Sequence, residues 1–307
     1  MSQQPVVQLK HLTKKMGRKT IIDNLSLDLY PGQVTGFLGP NGAGKTTTIR
    51  MMVGLIKPTS GEVMIDGHRL NQDYTQSISQ VGAIVENPEM YKFMSGYQNL
   101  IHFARLQGNI TKQRIEDVVK QVGLEKRIHD KVQTYSLGMR QRLGLAQAIL
   151  HKPKFLILDE PTNGLDPAGI REFRMYLRKI AAEDGVSVLV SSHLLSEIEL
   201  MCDRIAVIQQ GKLITIRSVE GNDQHQNKTF LFEVSNPAKA LKLIEEHYEV
   251  NNVEETKGQL QLTINKEQAA ELNRTFVENG IAVYEITALR KTLEDEFLEM
   301  TGGEQIG

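Results

Sequence analysis

Eight residues, Gly39-Pro40-Asn41-Gly42-Ala43-Gly44-Lys45-Thr46, constrain the fold of this chain more than any other segment. They fit the pattern G-x-x-x-x-G-K-[ST]. They also stand between a short apolar run, Val34-Thr35-Gly36-Phe37-Leu38, and a stretch of helical spacing over 44–55 that stops before Lys57-Pro58. Strand, glycine-rich turn and helix in that order make a phosphate cradle. The glycines let successive backbone N–H groups converge on phosphate oxygens, and the helix N-terminus adds about half a positive charge. Lys45 supplies a point charge for the outer phosphates, and Thr46 a hydroxyl for Mg²⁺. A hydrogen bond to a charged group contributes about 1.5–3 kcal/mol, so several together suffice to hold a triphosphate. A glycine turn that merely capped a helix would have no use for Lys-Thr directly after its last glycine.

Around this loop the pattern is that of an α/β protein. Residues 6–12, 19–23 and 25–29 read as strands of an antiparallel sheet, punctuated by Met16-Gly17 and Pro31-Gly32. A more helical, polar stretch over 96–150, with helical spacing at 98–107 and 111–122, reads as an insertion. Strand 155–158 leading to helix 167–183, then strand 186–190 leading to helix 194–201, alternate as a parallel sheet requires. Segments 204–209 and 212–216 join through Gln210-Gly211 as a closing hairpin.

Polar, aperiodic residues after Gly221 mark a linker, so domains are expected over 1–220 and 221–307. The second domain reads as strand 230–234, helix 237–247, strands 248–253 and 259–264, helix 266–279 and strand 281–286. That is the β-α-β-β-α-β order of a small ferredoxin-like α+β domain, with a terminal helix expected over 292–300.

The apolar run Phe155-Leu156-Ile157-Leu158 ends in two carboxylates, Asp159 and Glu160. A parallel strand delivers them at its C-terminal edge, where α/β sheets bind ligands. There Asp159 suits Mg²⁺ and Glu160 can polarise an attacking water, since phosphoryl transfer needs positioning and charge neutralisation more than covalent chemistry. Taken alone, the same residues also describe a buried strand followed by an acidic turn.

Composition excludes several classes. With 307 residues, 40% of them apolar and 24% charged, the chain is globular rather than disordered or collagenous. Cys202 is its only cysteine, so no intrachain disulfide forms and a reducing compartment is expected. Residues 1–15 lack the apolar core of a signal peptide, and no stretch approaches the roughly 18–20 apolar residues that span a bilayer, so this polypeptide is not expected to form a pore. Residues 1–220 hold 28 Lys/Arg against 21 Asp/Glu, and residues 221–307 hold 8 against 16. No basic block interleaved with aromatics appears, and no nucleic-acid partner is expected.

Two further pieces complete a series. Ser136-Leu137-Gly138-Met139-Arg140-Gln141-Arg142 begins 23 residues before Asp159, and His193 follows 34 after it. With these in order, residues 6–217 resemble the nucleotide-binding subunit of an ABC transporter. The resemblance implies a P-loop NTPase cassette with a RecA-like parallel core, an antiparallel β subdomain and a helical subdomain. It implies ATP as ligand, with Gly39, Pro40, Asn41, Gly42, Ala43, Gly44, Lys45, Thr46 and Thr47 on the phosphates and Met16 where the family stacks an aromatic on adenine. Mg²⁺ is implied at Thr46, Asp159 and Glu86, the last standing where the family has a glutamine. Glu160 corresponds to the catalytic glutamate and His193 to the switch histidine.

The signature motif matches at Ser136, Gly138 and Met139, and the D-loop at Asp166. In the family Ser136 faces the γ-phosphate held by another subunit; read in isolation it is an ordinary helix N-cap, and His193 a strand-end histidine. Leu137 and Met139 depart from the family's Gly and Gln. The implied partners are a second cassette, identical or different, and a separate integral membrane permease, with the chain on the cytoplasmic face of the membrane. Residues 84–88, 90–100 and 292–298 resemble the bacitracin and lantibiotic resistance subgroup, which implies export. The alternative, a soluble ABC ATPase acting on ribosomes or DNA, is expected to carry two cassettes or a long coiled-coil interruption, and this chain has neither. A P-loop kinase or GTPase would leave the signature helix unexplained, and no N/T-K-x-D motif is present.

Overall fold

A strand that is buried at every position has to be covered on both faces, and three such strands lie at the centre of the first of two units. The computed structural model describes residues 4–85, 88–219, 228–247, 253–256 and 259–289, and the chain divides into two compact units after Val219. In chain order the first holds β1 (Val7–Met16), β2 (Lys19–Leu29), β3 (Val34–Leu38), α1 (Lys45–Met52), β4 (Ser60–Ile65), β5 (His68–Arg69), α2 (Tyr74–Ile78) and β6 (Val81–Ile84). It continues through α3 (Gly96–Gln107), α4 (Lys112–Gln121), α5 (Leu137–Ile149), β7 (Phe155–Asp159) and α6 (Pro167–Asp184). β8 (Ser187–Ser192), α7 (Leu195–Met201), β9 (Arg204–Gln209) and β10 (Lys212–Ser218) close it.

β3, β7 and β8 are buried along their whole length. They are neighbours in a six-stranded sheet of order β10-β9-β3-β8-β7-β6, parallel throughout except for the β9–β10 hairpin. Register places Leu38 opposite Ser192 and Asp159 opposite Ser191. The C-terminal ends of all three strands therefore share one edge, the edge from which the glycine-rich loop departs.

The second sheet is antiparallel, ordered β2-β1-β4-β5. Residues 19–23 and 25–29, read from the sequence as two strands, form one. Asn24 between them takes a left-handed conformation (φ 53°) and donates its N–H to Thr13 Oγ1 at 3.1 Å, a local irregularity that leaves the ladder running. Leu9 and Leu27 of this sheet share a core with Ile49 and Met52 of α1 and with Phe37, Phe155 and Leu189 of the parallel sheet. β4, β5, α2 and β6 are additions to the sequence reading. Each has six residues or fewer, too few for a period to declare itself.

Side-chain caps start the helices of the inserted segment. Ser95 and Gln98 form a capping box on α3, and Thr111 and Ser136 accept backbone N–H groups at the starts of α4 and α5. Just past α5, the ring of His151 has Nε2 3.1 Å from the Val81 carbonyl and Nδ1 3.1 Å from Gln107 Nε2. Donating through one nitrogen and accepting at the other, the neutral ring satisfies both bonds. Burial holds its pKa below the ordinary value, against the pull of the Val81 hydrogen bond and with a further push from Arg114.

Below the ordinary histidine pKa of about 6.5 the unfolded chain binds a proton that the folded chain refuses. This contribution to stability is complete above that pH and declines as pH falls toward the folded pKa. Thermal melts between pH 7.5 and 5.5 should show Tm falling on the acid side, with a shallower fall in His151→Gln; equal slopes would remove His151 from this role.

The second unit contains β11 (Lys228–Val234), α8 (Pro237–His247), β12 (Val253–Thr256), β13 (Gln259–Ile264), α9 (Lys266–Glu278) and β14 (Val283–Leu289). Its antiparallel sheet has the order β12-β13-β11-β14. Period-2 alternation turns Phe230, Phe232, Leu260 and Leu262 inward, where they meet Ile244, Leu272 and Phe276 of the helices. Of the strand expected over 248–253, Val253 opens β12 (Val253–Thr256), and residues 248–252 lie outside the described residues. The strand expected over 281–286 begins later and runs further, because Ala282 is bonded through both N–H and C=O to Ser235 rather than to a ladder. The helix expected over 292–300 lies outside the described residues.

Candidate functional site

The loop 39–46 leaves β3 and enters α1 with no side chain capping the helix, so its first N–H groups stay available. Gly44, the N-cap residue, has φ 109°, a conformation closed to residues with a Cβ. A Cβ on Gly39 would run into the Ile208 carbonyl, so only glycine lets the loop pass β9 this closely. The β9–β10 turn braces the loop, with Gly211 N–H donating to the Ala43 carbonyl at 2.9 Å. No local pattern announces that support; it exists because β9 lies beside β3 in the sheet.

Lys45 is 6% exposed. Its Nζ donates to the Gly39 carbonyl at 2.6 Å and the Pro40 carbonyl at 3.4 Å, and lies 3.6 Å from Glu160 Oε1. Burial lowers its pKa, while Glu160 and Asp159 act in the opposite direction. A phosphate beside Nζ would act as the carboxylates do, favouring the charged form. The second oxygen of Glu160, Oε2, is 2.7 Å from His193 Nδ1. A carboxylate only accepts, so Nδ1 carries the hydrogen. Lys45, Glu160 and His193, from three separate elements of sequence, thus form one chain of polar contacts at the sheet edge.

Asp159, 4% exposed, ends β7. Its Oδ1 accepts from Ser191 Oγ at 2.5 Å, and Oδ2 receives no hydrogen bond from the described residues. Glu160 has φ 49°, a left-handed backbone, and its N–H donates to the same Ser191 Oγ at 2.9 Å. One step further out, Thr162 Oγ1 donates to Glu197 Oε2 at 2.6 Å, tying the turn after Glu160 to α7. Ser191, Thr162 and Glu197 were not singled out in the sequence; their pairing depends on β8 lying beside β7.

Among the described residues no group of three or more His, Cys, Asp and Glu could hold a metal by itself. The donors that do fit a hard cation are the buried Asp159 carboxylate with its unbonded Oδ2 and the Thr46 hydroxyl on the first turn of α1. Such a sparse set suits Mg²⁺, which completes its octahedron with phosphate oxygens and water. Glu86 lies outside the described residues. Met16 ends β1 at the hairpin tip, 48% exposed, paired with Lys19, and Thr47 follows Thr46 on the first turn of α1, half-buried.

Ser136 caps α5, its Oγ accepting from Met139 N–H at 3.2 Å. Asp166 caps α6, its Oδ1 accepting from Gly169 N–H at 2.9 Å. The two helix starts share a cavity of about 390 Å³ lined by Ser136, Gly138, Arg142, Gly164, Asp166 and Glu172. Both Ser136 and Asp166 are exposed. Among the described residues no hydrogen bond or ion pair joins this group to Lys45, Glu160 or His193, so one chain presents two separate polar groups.

The model of the ABC transporter family matches residues 22–163. The chain is 54% identical over 297 residues to an uncharacterized ABC transporter ATP-binding protein, YhcH of Bacillus subtilis, covering 97% of this chain and 96% of that one. It is 41% identical over 303 residues to the bacitracin transport ATP-binding protein BcrA of Bacillus licheniformis, covering 98% and 99% of the two chains. Among solved structures it is similar to the dimeric post-hydrolysis state of an ATP-binding cassette bound to ADP and Pi. That likeness has a TM-score of 0.62 and 26% identity, and covers 70% of this chain and 99% of the other.

Proposed function

The chain belongs to the ATP-binding subunits of ABC transporters, whose cassettes hydrolyse ATP, and from that premise we propose how its two polar groups work. The outer phosphates of ATP sit on the backbone N–H groups that the 39–46 loop offers after Pro40, with Lys45 Nζ beside them. Glu160 orients and polarises the attacking water, and His193 holds Glu160 in place through Nδ1. Thr46 and Asp159, together with Glu86, would hold Mg²⁺, which would supply positive charge to offset the charge that builds up during phosphoryl transfer. The observation that carries this reading is the Lys45–Glu160–His193 chain of contacts at the mouth of the phosphate loop.

Ser136, Gly138, Met139 and Asp166 serve the nucleotide of a second cassette. The exposure of Ser136 and Asp166, and the absence of any described bond from this group to its own chain's phosphate loop, support that division of labour. ATP then lies between two chains, and its differential affinity for closed and open pairs supplies the work. The chain acts on the cytoplasmic face of the membrane through a separate integral permease. The exposed Tyr91 and Phe93 ahead of α3, packed edge-on, with Tyr91 also against His102 of α3, support a docking surface for it. Similarity to BcrA over nearly the whole chain supports a peptide antibiotic as the exported cargo.

Tagged chain purified from detergent-solubilised membranes should bring down a polytopic membrane protein, and reconstituted ATP turnover should rise on adding bacitracin-like peptide. Recovery of ribosomes, with no membrane protein, would overturn the reading.

A further inference from the structure

We propose that Ser191 is a positioning residue for ATP hydrolysis, one hydroxyl that sets both carboxylates of the site; the inference rests on the ATPase reading above. Ser191 lies at the end of β8, opposite Asp159 in the ladder, and is completely buried. Its oxygen is 2.5 Å from Asp159 Oδ1 and 2.9 Å from the Glu160 backbone nitrogen. A hydroxyl carries one hydrogen and an amide N–H cannot accept, so the directions are forced: Ser191 donates to Asp159 and accepts from Glu160.

Two consequences follow from that geometry. With Oδ1 held, Asp159 presents Oδ2 as its open oxygen, the one free to meet a cation. The Glu160 backbone, at φ 49°, is in a region that residues with a Cβ rarely adopt. The hydrogen bond to its N–H helps to hold it there, with its carboxylate between Lys45 and His193. Removing the hydroxyl takes one partner from a buried carboxylate oxygen and one from a backbone N–H at the same spot.

The test compares the parent with Ser191→Ala, Ser191→Cys and Ser191→Thr. Steady-state kinetics would be read beside Mg²⁺ titrations of nucleotide-analogue binding and metal-free nucleotide affinity. Ser191→Ala should lower kcat at least tenfold, about 1.4 kcal/mol, with KM for ATP within about twofold. It should raise the Mg²⁺ midpoint several-fold while metal-free affinity stays at the parent level. Ser191→Cys, similar in size with a weak donor, should fall between, and Ser191→Thr should return toward the parent.

Parental kcat and Mg²⁺ midpoint in Ser191→Ala would overturn the inference and leave the ATPase reading standing. Equal loss of metal-free affinity would reduce Ser191 to a structural role and overturn it too. A parent chain that binds no ATP would overturn both.

Discussion

Glu160→Gln is expected to lower ATP turnover at least about a hundredfold, the lower end of what a general base contributes, while ATP affinity stays within about twofold. The amide keeps the size of the side chain and one acceptor oxygen, so His193 Nδ1, now 2.7 Å from Oε2, can still donate. What disappears is the negative charge that polarises water and that lies 3.6 Å from Lys45. With hydrolysis stopped and binding intact, the ATP-loaded variant should accumulate as a dimer. Size-exclusion chromatography with light scattering would show a doubled mass with ATP and the single mass without it. Hydrolysis at the parental rate would remove Glu160 from catalysis, and a monomer at saturating ATP would remove the second cassette from the site.

Lys45→Ala is expected to weaken ATP binding at least about a hundredfold, or about 2.7 kcal/mol, read by isothermal titration. The size of the effect follows from burial: at 6% exposure Nζ meets phosphate with little competing water. The variant should still fold. Lys45 makes its bonds within the loop and to Glu160, and Glu160 keeps His193 and the Ser191 hydroxyl as partners. Unchanged affinity in a folded Lys45→Ala would discredit the phosphate loop. The pair of variants separates binding from chemistry, since one should lose affinity and the other turnover.

Elements with a strong period or a strong local chemistry are legible along the chain. β3 and β7 announce themselves as short, largely apolar runs, α3, α4 and α6 by their spacing, and α5 by its N-cap Ser136; the caps Ser95, Thr111 and Asp166 emerge in the structure. Short elements such as β5 and α2 are not, because two to five residues hold little more than one period and a pattern shows only when it repeats.

The residue types of the site follow from the chain alone, as does the family, because a phosphate loop, a strand ending in two carboxylates, a signature helix and a histidine occur in order. Which atoms meet does not. Lys45, Glu160 and the Ser191–His193 segment are distant from one another in sequence and converge only because β3, β8 and β7 stand side by side with their C-terminal ends level. Local propensity acts over a few residues, whereas the register of a parallel sheet brings together positions more than a hundred residues apart. For that reason chemistry could be read from one dimension, but the hydroxyl that aims it could be found only in three.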